Sequence, residues 1–308
     1  MKKHKKNNAC VKFNLARDWQ LYLLLLLPIT YFIIFKYVPM YGVTIAFKDY
    51  NIFDGIMKSE WVGLEWFKHI FSMEDFRTAL WNTLKLNILD LMFSFPAPIL
   101  LAICLNELIS TKVKRVSQTI LYLPYFMSWV IVGGIIYQLF SNNTGMINNL
   151  IVLLGKEPIP FLSDETLWTI TYLIAGIWKS TGWNTIIYLA AITGIDASLY
   201  EAAEVDGAGR LTKIFKITIP SIKPTIVVLL IMAIGSVMSI GFERPYVMGN
   251  AMVTSVSEVI STYVYKVGLQ GGQFSIATAV GFFQSFVGLI LITLANSISK
   301  GLGGSRIW

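Results

Sequence analysis

The sequence DASLYEAAEVDGAGRLTKIFKITIPSIKP, residues 196–224, joins two long apolar runs and is too ordered in its pattern for a simple connection. Ser198 and Glu201, three residues apart, form a capping-box pattern, which predicts a short helix over 199–205. Gly207 follows and allows a backbone turn that a side chain would obstruct. Glu201 is therefore expected to be the capping acid of this helix.

A second amphipathic stretch completes this segment. Leu211, Ile214 and Phe215 are spaced for one face of a helix. Pro220 and Pro224 are expected to end the stretch before the next apolar run. The whole segment is predicted to be a compact helix-turn-helix that is joined directly to two apolar runs and has the shape of a lever.

Lys179 lies inside an apolar run, in the sequence AGIWKSTGWNT. A charge inside a membrane span costs about 2.5–3.5 kcal/mol on insertion scales, so this lysine needs a partner or water. Trp178, Trp183 and Asn184 lie close to it in the sequence. Aromatic rings stack on sugar rings, and lysine and asparagine bind hydroxyls or a carboxylate, so this composition suits a carbohydrate path. The alternative is that Lys179 pairs with Asp90 and holds two helices together.

Three further polar residues are candidates near the other apolar runs. Glu243 and Arg244 follow the fifth run, where they are expected either to contact a partner protein outside the membrane or to pair with each other on an exposed surface. Gln284 lies in the last run and either faces the transported molecule or bonds to a neighbouring helix.

No set of residues suits catalysis or a metal site. The two histidines, His4 and His69, lie outside the apolar runs, and the sequence has neither an H-E-x-x-H motif nor paired carboxylates within a run. Cys10 and Cys104 are too few for a disulfide framework or a metal cluster. We therefore expect no catalytic residue, metal or cofactor in this chain. A membrane-embedded enzyme and a channel are the less favoured alternatives.

The composition indicates what holds these residues in place. Of 308 residues, 55% are hydrophobic and 14% are charged, against about 25% charged in ordinary soluble domains. Runs of about 20 apolar residues recur, each long enough to cross a bilayer as a helix. The predicted fold is an all-α polytopic bundle of six transmembrane helices at 20–40, 84–106, 119–140, 167–192, 225–242 and 275–298.

The distribution of Lys and Arg predicts the orientation of the chain. Fifteen of these residues lie in the segments on one side of the predicted spans and seven in those on the other side. Positive residues favour the cytoplasmic side, which predicts a multi-pass protein of the cytoplasmic (inner) membrane with a tail at 1–19 and both termini cytoplasmic. The first run is too long for a cleaved signal peptide. The sequence has no stripe of basic residues interleaved with aromatic residues, so binding of nucleic acid is not predicted.

The segment EAAEVDGAGRLTKIFKITIP resembles the EAA loop of permease subunits in ATP-binding-cassette (ABC) importers. The residues that match the family pattern are Glu201, Ala202, Ala203, Gly207, Ile217 and Pro220. Ile219 stands in place of the usual leucine, which exchanges one apolar side chain for another.

The resemblance extends over nearly the whole chain. WVGLEWF at 61–67, LPYF at 123–126 and GFERPYVM at 241–248 resemble the maltose and glycerol-phosphate permease type. Two longer segments, at 22–51 and 257–285, resemble the permeases associated with complex oligosaccharides from polysaccharide breakdown.

The resemblance implies the fold of a type I importer permease over 20–308, with its EAA loop at about 196–220. The chain would form half of a translocation path with a second permease subunit. Two ATPase subunits, which bind ATP and Mg, and an extracellular or periplasmic solute-binding protein would complete the importer. No G-x-x-x-x-G-K-[ST] phosphate loop occurs in the chain, in agreement with a separate ATPase.

The EAA loop would dock on an ATPase subunit. The residues implied in this contact are Glu201, Ala202, Ala203, Asp206, Gly207, Ile217 and Pro220. Asp206 is equally well explained as a turn residue at the end of a helix. The expected cargo is an oligosaccharide. Glycerol phosphate, phosphonates and peptides are alternatives, because their importers use the same loop.

Overall fold

The structure is a computed structural model that describes residues 15–301. Four helical stretches are long and apolar enough to cross a membrane: Trp19–Phe47, Glu74–Asn106, Arg210–Gly235 and Phe274–Lys300. Two pairs of bent helices bring this number to six if each pair counts as one span. The described chain is therefore the helical bundle that the sequence predicts, although two of its spans are not straight.

The first stretch packs on the rest of the described chain mainly near its end. Its parts are α1 (Leu15–Phe32), a π-turn (Ile33–Tyr37), α2 (Val38–Met40) and a 3-10 segment (Tyr41–Phe47). The most apolar part of this stretch contains no buried residue. Ala46, in the 3-10 segment, is completely buried against the bundle.

A small folded segment connects the first stretch to the second. Its elements are β1 (Lys48–Asp49), α3 (Gly55–Lys58), β2 (Glu60–Trp61) and α4 (Glu65–Ser72). The two strands are antiparallel, with Lys48 opposite Trp61. The indole of Trp66 donates to the carbonyl of Lys48 at 2.9 Å and so fixes α4 against the strands.

The second stretch begins ten residues earlier than the predicted span at 84–106. It consists of α5 (Glu74–Phe93) and α6 (Pro96–Asn106). Pro96 starts α6, where a missing N–H costs no helical hydrogen bond. The amide of Asn82, which is almost completely buried, donates to the carbonyls of Ser255 and Glu258 and ties α5 to a distant loop.

The predicted span at 119–140 corresponds to a pair of helices with a sharp bend between them. Its parts are α7 (Thr111–Tyr122), a 3-10 turn (Leu123–Phe126) and α8 (Trp129–Phe140). The two helical halves are inclined by 101°. Pro124 lacks a backbone N–H, and the hydroxyl of Ser128 accepts a bond from the N–H of Ile131, so one helix ends and another begins inside the apolar run.

The fourth span agrees closely with the prediction at 167–192. The helices of this region are α9 (Met146–Leu153), α10 (Glu165–Thr193) and α11 (Ala197–Val205). The carboxylate of Asp164 accepts from two N–H groups and caps α10. A Cβ at Gly182 would lie 1.9 Å from the carbonyl oxygen of Leu121, so this glycine allows α7 to touch α10.

The fifth span runs earlier in the chain than the predicted 225–242. Its parts are α12 (Arg210–Lys213), a π-turn (Ile214–Thr218) and α13 (Ile219–Gly235). Pro220 and Pro224 lie inside the helix and do not end it, contrary to the prediction. Membrane helices tolerate proline when a local π-turn rearranges the freed backbone groups, and such a turn precedes Pro220 here.

Short elements lead from the fifth span to the last. They are α14 (Glu243–Met248), a 3-10 turn (Ala251–Val253), α15 (Thr254–Ser257), α16 (Ile260–Val264) and a π-turn (Tyr265–Gln270). The last span is α17 (Phe274–Gly301). A Cβ at Gly235, the last residue of α13, would lie 2.8 Å from the Cβ of Ile292, so α13 and α17 are in close contact.

Three apolar clusters hold the bundle together. The first includes Leu86, Trp168 and Tyr172 and joins α5, α8 and α10. The second is built around Phe76 and Val280, between α5, α16 and α17. The third packs α6, α10 and α13 together, and its buried members are Ala102, Ile103, Tyr188, Leu189, Ile192 and Ile222. The first and third clusters fix the two ends of α10.

Candidate functional site

The segment 196–218, called the corner below, is where α11 turns into α12. Gly207 has a φ of +75°, in the left-handed region that favours glycine. Its N–H donates to the carbonyl of Glu204 at 3.0 Å, and the N–H of Ala208 donates to that of Ala203 at 2.8 Å, which are the two bonds of a Schellman turn. A Cβ at Gly207 would meet nothing within 4 Å, so backbone conformation, and not lack of space, requires this glycine.

Asp196, and not Ser198, caps α11. Its carboxylate accepts a hydrogen bond from the N–H of Ser198 at 3.0 Å, and this bond lowers the pKa of Asp196. The predicted capping box of Ser198 and Glu201 is wrong, because α11 begins at Ala197. Glu201 lies exposed on the first two turns of the helix, where a partner protein can reach it.

Two side-chain contacts fasten α11 to the start of the fifth span. The ammonium of Lys213 donates to the carboxylate of Glu204 at 2.5 Å. The hydroxyl groups of Tyr200 and Thr218 lie 2.9 Å apart, and Thr218 is buried. The corner is therefore attached to the helix that follows it, so a force on α11 reaches α13.

The outer face of the corner is apolar for so short a segment. Val205, Leu211 and Phe215 are 89%, 70% and 65% exposed. Exposed apolar patches of this kind mark surfaces that bind another protein. The residues predicted to make such a contact divide into exposed ones (Glu201, Ala202, Asp206, Gly207 and Pro220) and half-buried ones (Ala203 and Ile217).

A second site lies at the non-helical segment 236–242 that follows the fifth span, called the interrupted segment below. The chain is not helical between Gly235 and Glu243. The side-chain amide of Asn87 donates to the carbonyl of Val237 at 2.7 Å, and that of Gln284 donates to the carbonyl of Met238 at 2.5 Å. Interrupted helices persist at membrane depth only where protein partners or a water-filled cavity satisfy their backbone. Discontinuous helices also form the binding sites of many transporters.

Arg244 is held inside the bundle by three groups. It donates to the carboxylate of Asp90 at 2.7 Å and to the carbonyl of Tyr172 at 2.5 Å, and its guanidinium lies 3.6 Å from the centre of the Tyr172 ring. The two side chains of the ion pair are 12% and 21% exposed. A Cβ at Gly176 would lie 2.3 Å from Arg244 Nη2, so this glycine makes room for the guanidinium.

Lys179 lies in the middle of α10, next to the bend of the third span. Its ammonium donates to the carbonyl of Tyr125 at 3.0 Å and lies 5.3 Å from the centres of the Tyr125 and Trp129 rings. The Tyr125 ring stacks on Trp183 at 4.7 Å. The alternative in which Lys179 pairs with Asp90 is wrong, because Arg244 occupies that carboxylate.

Two adjoining cavities follow the interrupted segment. The larger, of about 370 Å³, is called the central cavity and is lined by Asn87, Asp90, Trp129, Tyr172, Ser239, Ile240, Gly241, Phe242, Glu243 and Arg244. The smaller, of about 210 Å³, shares Asn87, Asp90 and Ser239 with it and adds Asn184. The two cavities therefore form a groove beside α10 that is lined by polar, aromatic and aliphatic side chains.

Comparison with known proteins places the chain in a family. The sequence model described as "Binding-protein-dependent transport system inner membrane component" matches residues 94–303, which include the corner and all lining residues of the central cavity except Asn87 and Asp90. The chain belongs to this family of inner membrane transport components. It is a permease.

Relatives match the permease over most of their length, and a chain of a solved structure shares its fold. It is 50% identical over 286 residues to Protein LplB of Bacillus subtilis, covering 93% of this chain and 90% of the relative. It is 49% identical over 307 residues to the polygalacturonan/rhamnogalacturonan transport system permease protein YteP of the same organism, covering 100% and 95%. A chain in the crystal structure of a bacterial alginate ABC transporter, in complex with an alginate pentasaccharide-bound periplasmic protein, matches with a TM-score of 0.87 and 41% identity, covering 95% and 98%.

The predicted path residues of the permease do not form one cluster. Lys179 and Trp183 share the aromatic group at the bend, and Asn184 lines the smaller cavity, whereas Trp178 is half-exposed on α10. Gln284 bonds to the interrupted backbone, which agrees with its alternative role between helices. The predicted pairing of Glu243 with Arg244 is wrong, since Arg244 bonds to Asp90. Contact of these two residues with a binding protein stays a prediction.

The sequence prediction missed most of the central cavity. Asn87, Trp129 and Tyr172 are not among the predicted residues, and Asp90 is predicted only as an alternative partner of Lys179, whereas it binds Arg244. The position of Asn87 and Asp90 within an apolar run was the signal in the sequence that could have pointed to the cavity, because a polar residue inside a membrane needs a partner. Trp129 and Tyr172 carry no such signal, since aromatic residues are common in buried helices.

Alanine at Gly207 is expected to destabilise the corner by about 1–2 kcal/mol, because a Cβ in the left-handed region crowds the next carbonyl. Hydrogen exchange at the amide of Ala208 should accelerate about 5- to 30-fold. Gly209 is the matched control: it also has open space around it, but its φ is −70°, so alanine there loses only the N-cap preference for glycine and should accelerate exchange much less. Equal exchange in the two variants would contradict the conformational explanation.

Proposed function

We propose that the permease carries oligosaccharides across the membrane as half of the path of an ABC importer. The observation that carries this proposal is the central cavity, whose aromatic rings and polar groups lie beside the non-helical segment that follows the fifth span. Rings such as Trp129 pack on sugar faces, and the amide and hydroxyl groups of Asn87 and Ser239 can bind sugar hydroxyls.

Relatives support a saccharide cargo. A permease with 49% identity is named for polygalacturonan and rhamnogalacturonan, and one with 33% identity over 234 residues is named for arabinooligosaccharides. The transporter that contains the matching solved chain imports the acidic polysaccharide alginate. These cargoes share a chain of sugar units and differ in charge, so they support oligosaccharides as a class.

The corner is the proposed contact with an ATPase subunit. Its exposed apolar side chains would be buried in that contact, and Glu201 would make a polar bond within it. Closure of two ATPase subunits, which hold ATP and Mg, would move the corner. The bonds from Glu204 to Lys213 and from Tyr200 to Thr218 would carry this movement into α13.

The complete importer is proposed to contain a second permease subunit and an external solute-binding protein. Much of the first helical stretch is apolar and exposed in the described chain, as expected of a segment that meets lipid or the second permease. The excess of Lys and Arg on one side supports an orientation with both termini in the cytoplasm, which also places the corner there.

Reconstitution tests this function directly. The permease, the second permease and the ATPase would be purified together and placed in lipid vesicles with the binding protein. We expect ATP-dependent uptake of oligosaccharides and no uptake without ATP. Uptake of glycerol phosphate or peptides in preference to oligosaccharides would contradict the proposed cargo. Flux that does not need ATP would contradict the proposed importer function and favour a channel.

A further inference from the structure

α7 and the turn after it expose an apolar side, whereas polar residues face the bundle. Half-buried residues mark the side that faces the bundle: Lys114, Ser117, Gln118, Leu121 and Tyr122. On the opposite side lie four apolar residues that are 51–65% exposed and are called the α7 face below: Val113, Val116, Ile120 and Leu123. The hydroxyl of Thr119, on the same side, donates to the carbonyl of Arg115 at 3.0 Å and so needs no water. A helix at the surface of a soluble protein has the reverse arrangement, so the α7 face lies against apolar surroundings.

The start of α7 is positively charged. Lys112 and Arg115 are exposed next to the α7 face, and Lys114 is half-buried. None of these cations forms an ion pair with a carboxylate in the part of the chain that the structure describes. The sequence has no acidic residue between Leu108 and Phe126. Cations stabilise the C-terminal end of a helix and not its start, so these residues call for an anion from outside the chain.

The contacts of α7 place these cations at the edge of the bilayer. The carbonyl of Leu121 touches α10 at Gly182, about 16 Å before α10 ends at Thr193. At the other end of α7, the short loop 107–110 joins it to α6, which belongs to the third apolar cluster at the corner end of α10. α7 therefore runs from inside the bundle toward the side of the corner. Its first residues lie where the apolar part of the membrane ends.

We propose that the start of α7 binds the headgroups of anionic phospholipids in the leaflet beside the corner. Lys112 and Arg115 donate to the phosphates, as clusters of basic residues next to a membrane span do at anionic membranes, and the α7 face packs against the acyl chains. A second permease subunit fits this surface less well, because lysine is depleted in protein interfaces and each buried cation would need an acidic partner there. This inference concerns lipid and does not depend on the cargo.

The test uses the full-length permease, with the chains that co-purify with it, in vesicles of equal parts phosphatidylcholine and anionic phosphatidylglycerol. A photoreactive amino acid replaces Val116, and mass spectrometry identifies its adducts. We expect phosphatidylglycerol adducts to exceed phosphatidylcholine adducts about fivefold or more, because each basic residue near an anionic headgroup contributes about fivefold to binding. Lys112→Gln with Arg115→Gln should remove most of this excess. Lys58→Gln with Lys68→Gln, which takes two exposed charges from another part of the chain, is the matched control and should leave the excess unchanged.

Two further measurements separate charge from folding. Lys112→Arg with Arg115→Lys keeps both charges and should retain the excess of phosphatidylglycerol adducts. Salt at about 1 M, where the Debye length is about 3 Å, should lower the excess in the unsubstituted permease without changing the chain. An equal excess in the Lys112→Gln, Arg115→Gln variant would overturn the inference. Adducts of position 116 with another protein in place of lipid would also overturn it and would assign the α7 face to a partner subunit.

Discussion

Replacing Asp90 with leucine is expected to destabilise the bundle by about 3–5 kcal/mol, because the charge of Arg244 would stay buried without its partner. The guanidinium cannot easily turn away to solvent, since the Tyr172 ring, the carbonyl of Tyr172 and Gly176 enclose it. The Tm of the purified importer should fall markedly, and the interrupted segment next to Arg244 should lose its protection from hydrogen exchange.

The matched control for this prediction is Asp54→Leu. Asp54 is exposed and its side chain caps no helix, so the Tm of the importer with this substitution should hardly change. A double variant, Asp90→Leu with Arg244→Met, should recover most of the lost stability, because an apolar pair replaces a buried ion pair at little cost. A double variant less stable than Asp90→Leu alone would show that the unpaired charge of Arg244 does not cause the loss of stability.

Replacing Glu201 with lysine is expected to uncouple ATP hydrolysis from transport. A charge reversal at a protein contact loses the bond and adds repulsion, and removal of one partner of a buried charge pair costs about 2–5 kcal/mol. Co-purification of the ATPase should therefore fall by about 30-fold or more. ATP hydrolysis stimulated by the loaded binding protein should fall with it.

Two variants define what this result would mean. Glu157→Lys carries the same reversal on an exposed loop far along the chain from the corner and should leave ATPase recovery unchanged. Glu201→Gln keeps the shape of the side chain without its charge, so ATPase recovery with this variant should lie between that of the unsubstituted permease and that of Glu201→Lys. Undiminished, transport-coupled hydrolysis in Glu201→Lys would show that the corner does not bind the ATPase through this residue.

A single helix connects the two sites on which these predictions act. α10 has 29 residues, which corresponds to about 43 Å, and runs from Trp168 past Tyr172 and Lys179 to the corner. Apolar clusters hold it near both ends. A rigid helix moves as one body, so a shift of the corner would displace the wall of the central cavity. This gives coupling between ATP hydrolysis and the path a physical route.

The sequence determined what depends on neighbours along the chain. The helix-turn-helix of the corner, the glycine at its turn and the fourth span were predicted correctly, because helical periodicity and turn formation act over a few residues. Apolar runs also gave the number of spans when bent pairs are counted as one. Local errors, such as Ser198 for Asp196 as the cap, arose where two suitable residues lie two positions apart.

Only the tertiary structure decided which distant residues meet. Asp90 and Arg244 are 154 positions apart, and the sequence offered Lys179 as an equally reasonable partner. Which cation pairs with Asp90 depends on the rotation of α5, α10 and α14 and on the distances between them. Gly176 permits the close approach of Arg244 to α10. Hydropathy measures how apolar a run is, but it contains neither the rotation of a helix nor the bend at Pro124. The central cavity is a product of those two features, because packing between helices, and not the order of residues within them, brings its groups together.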